Sequence, residues 1–140
     1  MKVMVIVKAN EDTEAGVLPS RELLSQMLQF NEELLEAGIL LSGDGLKPSA
    51  KGVRVGFPGG AVVDGPFAET KELVAGFWLW EVTSMEEAIA WIRRSPFQRF
   101  PQGDVEIRPL YEPEDFGEAF TPELRAKEAR LCAEASRNRT

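Results

Sequence analysis

The 140-residue chain contains no histidine. This absence excludes a Ser-His-Asp triad, a Cys-His dyad and every metal site that uses imidazole ligands. It also removes the side chain that most often acts as a general base at neutral pH. An acid–base step would therefore depend on a carboxylate, a lysine, Tyr111 or Cys132.

Cysteine and long apolar runs are also scarce. Cys132 is the single cysteine, so an intrachain disulfide is excluded and a reducing compartment is favoured. No run approaches the roughly 20 apolar residues that span a bilayer. Residues 1–8 are too short for the apolar region of a signal peptide, and no small-residue cleavage site follows them. We expect a cytoplasmic protein without a membrane partner.

Basic residues are fewer than acidic ones, 16 against 23, and the net charge is −7. This balance argues against nucleic acid as the main partner, because such proteins carry a basic footprint. Arg93, Arg94 and Arg99 are close in sequence, and we interpret them as a solvated face. The length and the 44% hydrophobic content are typical of one globular domain with its own core.

The first half of the chain alternates between strand and helix patterns. Residues 2–8 alternate as a strand, and leucines at helical spacing predict a helix over 21–37 behind a loop at 9–19. Residues 39–42 form a short extended piece before a predicted turn at Gly43-Asp44-Gly45. Pro58-Gly59-Gly60 predicts a hairpin between residues 52–57 and 60–64.

The second half repeats the alternation. Residues 73–82 read as a strand with large apolar groups on both faces, which predicts burial on both sides and a partner subunit as the second layer. Ser84 and Glu87 form a capping box that opens a helix, and 104–110 is a last strand. This order predicts an α+β fold, a ferredoxin-like split β-α-β unit with an added hairpin. Residues 1–110 are the predicted domain and 111–140 an extension with one helix.

One stretch carries a family resemblance, Asp64-Gly65-Pro66-Phe67-Ala68-Glu69-Thr70-Lys71-Glu72, followed by Gly76-Phe77. Further similarities are Gly43-Asp44-Gly45-Leu46, Glu86-Glu87-Ala88 and Val105-Glu106-Ile107-Arg108-Pro109. Together these motifs resemble the DGPF-domain branch of the YCII-related family. The resemblance implies a homodimeric α+β barrel, in which two sheets pack face to face, and a link to sigma-factor pathways. The resemblance implies a His–Asp pair in related YCII proteins. This chain has no histidine and has Ser95 before Pro96, so it cannot form that pair.

Three candidate site residues, Asp64, Glu69 and Lys71, lie within residues 64–72, which we call the DGPF stretch. Asp64 either accepts backbone amides in its own turn or acts as a proton acceptor among apolar neighbours such as Phe67 and Trp80. Glu69 and Lys71 either complete a polar cluster that holds an anionic ligand or form an ordinary solvated loop. A hard-metal site would need Asp64, Glu69 and Glu72, but no recognised loop spacing supports it, and nothing indicates a cofactor.

Two further candidates lie outside that stretch. Asp44 is either turn chemistry or a ligand-binding group. Arg108 is out of phase with the apolar residues of its strand and either clamps a carboxylate or pairs at the surface. Trp78, Trp80 and Trp91 are expected in the core.

Two functions remain open. The first is a small-molecule-binding, accessory or regulatory homodimer. The alternative is a lyase- or isomerase-type enzyme acting on a small anionic or ring metabolite, with Asp64 as the base and Lys71 and Arg108 as anion holders.

Overall fold

The computed structural model describes residues 1–100 and 103–138. The chain divides into two compact units, Met1–Pro109 and Leu110–Thr140, which are described separately. Within the described residues, no helix is both long and apolar enough to cross a membrane. We predicted a domain at 1–110 and an extension at 111–140. That the domain folds independently of the extension stays a prediction.

Six strands form the sheets of the first unit. In chain order they are β1 (Lys2–Lys8), β2 (Leu40–Gly45), β3 (Val53–Val55), β4 (Val62–Asp64), β5 (Val74–Glu81) and β6 (Val105–Pro109). Four of them form an antiparallel sheet in the order β2-β5-β1-β6, and β3 pairs with β4 as a separate hairpin. This is the predicted α+β, ferredoxin-like arrangement with an added hairpin.

The described residues also contain four α-helices: α1 (Glu11–Glu14), α2 (Arg21–Glu36), α3 (Met85–Arg93) and α4 (Pro122–Arg137). The Ser20 side chain caps α2, and Gly38 follows that helix with a positive φ of 75°. The helix α1 was not predicted, because its four residues carry no apolar period. A capping box between Asn10 and Thr13 stabilises it.

The predicted capping box at α3 is only half formed. The Ser84 hydroxyl accepts the Glu87 N–H at 3.1 Å, as expected. The Glu87 carboxylate instead accepts the N–H of Thr83 at 2.8 Å, one residue before the cap. Two free amides at the start of the helix are satisfied in either arrangement.

The core lies between the four-stranded sheet and the helices α2 and α3. Val3, Val5 and Trp80 are fully buried on the sheet, with 0% of each exposed, and Leu34 of α2 is equally buried. Phe30 packs edge-on against Trp78 and Trp80, with ring centroids 5.8 and 6.3 Å apart. Trp78 and Trp80 are therefore core residues, as predicted, and the half-buried Trp91 packs against this cluster.

Among the described residues of this unit, no helix covers the opposite side of the sheet, which we call the free face. Met4, Ile6, Phe77 and Leu79 are only half-buried there. We predicted that β5 is buried on both faces. Within one chain, only the face toward the helices is fully buried. The strand registers arrange the free face in two rows across the sheet: Asp44, Phe77, Ile6 and Glu106, then Ser42, Leu79, Met4 and Arg108.

The second unit consists of a 3₁₀ segment and α4. Tyr111 stacks on Phe116, with ring centroids 4.8 Å apart, and Phe116 meets Phe120 edge-on at 5.4 Å. The Thr121 hydroxyl accepts the N–H of Leu124 and caps α4. Cys132 is exposed on this helix.

Candidate functional site

The DGPF stretch follows β4, and its predicted site residues are exposed. Asp64 is the last residue of β4 and pairs with Val53. Its carboxylate accepts no backbone amide from the described residues, so the turn interpretation is not what the structure contains. Glu69 has a positive φ of 61°, and Lys71 lies in the 3₁₀ turn Thr70–Glu72 that follows. Trp80 is fully buried in the core, so it does not provide exposed Asp64 with an apolar neighbour.

Gly65 fixes the start of the DGPF stretch against a turn around Ser49. A β-carbon at residue 65 would overlap the carbonyl oxygen of Ser49, so only glycine fits here without displacing backbone. The Gly65 N–H donates to the carbonyl oxygen of Gly52 at 3.0 Å, and the Phe67 N–H donates to the Ser49 hydroxyl at 3.1 Å. The motif therefore closes onto residues 49–52.

Ser49 links this turn to α1. Its hydroxyl donates to the Glu14 carboxylate at 2.6 Å, and its N–H donates to the same group at 3.1 Å. The Arg54 guanidinium lies over the ring of Phe67, 3.9 Å from the centroid. Together with Lys47 and Lys51, these residues line a cleft of about 440 Å³, which we call the basic cleft.

Asp44 and Arg108 lie far apart on the four-stranded sheet. Asp44 is part of β2 and pairs with Phe77, so the predicted turn at 43–45 is wrong. Arg108 is on β6, the opposite edge strand, and its Nε lies 3.8 Å from the Glu106 carboxylate. Three strand spacings, about 14 Å, separate the two edges. These two residues cannot hold the same small ligand within one subunit.

Three glycines create a second cleft at the edge of the sheet, which we call the glycine cleft. Gly43 pairs with Trp78, and a β-carbon there would lie 2.6 Å from the indole Cδ1. Gly45 pairs with Gly76, which leaves this end of the sheet without side chains on the helix side. The volume is about 410 Å³. Its apolar lining residues on the helix side are Val7, Leu23, Leu24, Met27, Leu28, Trp78 and Phe97, and the free-face residues Asp44 and Phe77 also line it.

One polar pair lies in the wall of the glycine cleft. The Nε1–H of Trp78 on β5 donates to the Oδ1 of Asn31 on α2 at 2.8 Å. This bond satisfies the indole and fixes the orientation of the Asn31 amide. Among the described residues the Asn31 Nδ2 has no hydrogen-bond partner, so it is the donor that the cleft offers to a ligand.

A third cleft, of about 670 Å³, lies between the other two. It shares Leu46, Lys47 and Pro48 with the basic cleft and Pro19, Leu23, Gly45 and Ala75 with the glycine cleft. The three clefts therefore form one groove past β2. Sequence reasoning missed this groove because it read Gly43-Asp44-Gly45 as a turn; the available signal was a pair of alternating glycines directly after an apolar strand.

No metal centre is evident in the described part of the chain, where no three or more Cys, Asp or Glu side chains converge. The predicted residues Asp64, Glu69, Lys71 and Arg108 line none of the three clefts, and Asp44 lines one of them.

Comparisons with known proteins give one family, and the similar proteins include the two that follow. The family model described as the YCII-related domain matches residues 1–113. An uncharacterized protein of Rhizobium meliloti (strain 1021) is 44% identical over 54 residues, which are 37% of this chain and 44% of that protein. The chain therefore matches less than half the length of this relative. A solved structure of 5-chloro-2-hydroxyhydroquinone dehydrochlorinase from Burkholderia phenoliruptrix, complexed with 2,5-dihydroxybenzoquinone, has 15% identity, a TM-score of 0.48, and coverage of 80% of this chain and 95% of that one.

Proposed function

This chain belongs to the YCII-related family, and from that premise we propose that it is a homodimer that binds a small ring-containing molecule in the glycine cleft. The observation that carries the proposal is the absence of side chains at Gly45 and Gly76, where the sheet meets α2. Apolar walls, one polar donor and a volume of about 410 Å³ are the properties of a small-molecule site.

Gly45 leaves a space that packing alone does not require, whereas a β-carbon at residue 76 would lie 3.0 Å from the Asp44 carbonyl oxygen, so packing itself favours glycine there. In the described part of the chain, a β-carbon at residue 45 would meet no atom within 4 Å. Gly45 is the last residue of β2, and glycine loses more conformational freedom on folding than any other residue. A site where a ligand approaches the backbone closely is the functional reason for keeping it.

Binding rather than catalysis is the main proposal because of the carboxylates. Asp44 and Asp64 are both exposed. A general base is usually held in a cleft that shields it from water and orients it toward the substrate. We also propose an accessory or regulatory role. This role includes membership of the DGPF branch and the link to sigma-factor pathways, both of which the resemblance implies.

The homodimer is proposed from the free face. The two central strands, β1 and β5, present Met4, Ile6, Phe77 and Leu79 to this side. Two such faces pack about 10 Å apart when sheets stack, and a two-fold axis makes one surface complementary to its own copy. The apolar centre would then be buried between the copies, with Lys8, Glu106 and Arg108 at the β6 edge.

A lyase- or isomerase-type activity is the second candidate, and one observation favours it. Asp44 is a lining residue of the glycine cleft, and β2 is an edge strand, so the free-face side of this edge, which carries the Asp44 carboxylate, adjoins the cleft. Asp64, Glu69, Lys71 and Arg108 remain candidates outside the clefts. Under this alternative, Asp44→Asn abolishes turnover without loss of binding if Asp44 is the base. If the base is Asp64, as the sequence indicated, Asp64→Asn abolishes turnover instead.

A matched pair of leucines on α2 tests ring binding. Leu28 lines the cleft and is 68% exposed, and Leu35, two turns later, is 64% exposed and outside it. We expect phenol, benzoate or hydroquinone to raise the melting temperature of the wild type and of Leu35→Glu, but not of Leu28→Glu. A ligand at 100 times its Kd stabilises by about 2.7 kcal/mol. Equal shifts in both variants would place binding elsewhere.

A further inference from the structure

We propose that the basic cleft beside the DGPF stretch is a binding site for the carboxylate or phosphate group of a small molecule. Lys47 and Lys51, from the segment between β2 and β3, and Arg54, from β3 itself, contribute three cations. The cleft volume of about 440 Å³ lies within the range of small-molecule sites. Phe67, Leu73 and Val74 provide apolar surface next to the cations.

The charges in this cleft are unbalanced in favour of an anion. Glu14 is the carboxylate that lines it, and Ser49 already binds that carboxylate through its N–H and its hydroxyl. Within residues 1–100 and 103–138, Lys47, Lys51 and Arg54 form no ion pair. Such a concentration of cations is unexpected in a chain whose net charge is −7, and it favours binding of a small anion.

Arg54 is held in position for this task. Its guanidinium carbon lies 3.9 Å from the centroid of the Phe67 ring. The ring restrains the guanidinium, and the Arg54 N–H groups form no hydrogen bond with the described residues, so they are available to a carboxylate or phosphate. A guanidinium restrained in this way loses less entropy when it binds an anion.

The DGPF residues supply that restraint. The Phe67 N–H donates to the Ser49 hydroxyl, and the Gly65 N–H donates to the Gly52 carbonyl oxygen. These two bonds place Phe67 beneath Arg54. The motif thus contributes a wall of the cleft, and the anion-binding charges come from β3 and the segment before it, and not from Asp64 or Lys71.

This site is independent of ring binding, because the basic and glycine clefts have no lining residue in common. A failure of one therefore leaves the other intact. A single ligand could still use both, since the third cleft connects them.

The test is a titration of the full-length protein with pyrophosphate and, separately, with benzoate, followed by NMR or calorimetry at low salt. We expect saturable binding of at least one anion, weakened about tenfold by Lys51→Gln and by Arg54→Gln. Arg54→Lys keeps the charge but not the fork, and it should bind with intermediate affinity. Preference for pyrophosphate identifies a phosphate ligand, and preference for benzoate identifies a carboxylate.

The controls are Lys2→Gln and Arg93→Gln, which remove an exposed charge elsewhere. They should leave the Kd within about twofold, since distant surface charges are screened. If the controls weaken binding as much as Lys51→Gln does, the anion responds to overall charge and the proposal is wrong. Absence of saturable binding of both anions overturns it as well.

Discussion

The carbonyl oxygen of Ser49 occupies the space that a β-carbon on Gly65 would need. The glycine of the DGPF stretch is therefore a packing residue, and the segment after it is held where Phe67 reaches the Ser49 hydroxyl at 3.1 Å. Gly65→Ala should lower the free energy of unfolding by about 2 kcal/mol, because the backbone must shift to relieve the overlap. Urea unfolding measures the change. Gly56→Ala is the control, since a β-carbon there would lie 3.8 Å from its nearest neighbour, and an equal loss in both variants would contradict the account.

Ser49→Ala tests the link between α1 and the DGPF stretch. The substitution removes the donor to Glu14 and the acceptor of the Phe67 N–H. Two hydrogen bonds in a half-buried position, one of them to a charge, predict a loss of about 2 kcal/mol. Thermal unfolding of Ser49→Ala is compared with Ser25→Ala, an exposed helix serine. A stability equal to wild type would mean that water replaces both bonds.

Trp78 and Asn31 should be energetically coupled through their 2.8 Å hydrogen bond. In a double-mutant cycle with Trp78→Phe and Asn31→Ala, we expect a coupling energy of about 1 kcal/mol. Denaturant unfolding of the two single variants and the double variant gives the value. Additive effects would show that the bond contributes nothing net and that Asn31 is set by its place on α2.

The free face predicts the oligomeric state. Light scattering at micromolar concentration should give twice the 15.5 kDa chain mass. Leu79→Glu places a charge in the apolar centre of that face and should produce monomers, because an unpaired buried charge is costly. Leu35→Glu, on the exposed side of α2, should remain dimeric. A wild-type monomer would refute the homodimer, and circular dichroism separates dissociation from unfolding.

The division of the chain is open to a direct test. A protein ending at residue 110 should keep cooperative urea unfolding, because its core residues, from Val3 to Ile107, all precede that point. Far-ultraviolet circular dichroism should lose only the signal of α4 and the 3₁₀ segment. A broad, non-cooperative transition would mean that residues 111–140 are needed for the first unit to fold.

The local rules of sequence explain most of the first unit. Alternating valines specify β1, the Ser20 cap and Gly38 bound α2, and Pro58-Gly59-Gly60 marks the hairpin between β3 and β4. Each depends on interactions among neighbours in the chain, so the sequence carries them directly. The α1 helix escaped prediction because four residues without an apolar stripe leave only a polar cap as a signal.

The candidate site was predicted less well, for a physical reason. Gly43-Asp44-Gly45 has the composition of a turn, yet it continues β2 because the Trp78 indole from β5 fills the volume beside Gly43. That requirement comes from a residue 35 positions later, which no local pattern contains. Likewise, Asp64 and Arg108 each looked chemically suitable, but the structure places them on different sheets.

The sequence by itself determined the fold class and the order of the elements, because these depend on short-range periodicity. Its composition also excluded catalysis and metal binding by histidine. Only the tertiary structure decided which polar residues share a cleft. Arg54 meets Phe67, and Asn31 meets Trp78, through packing of segments distant in the chain. A one-dimensional pattern records neither the space between two elements nor the side chains that enter it, and ligand binding depends on both.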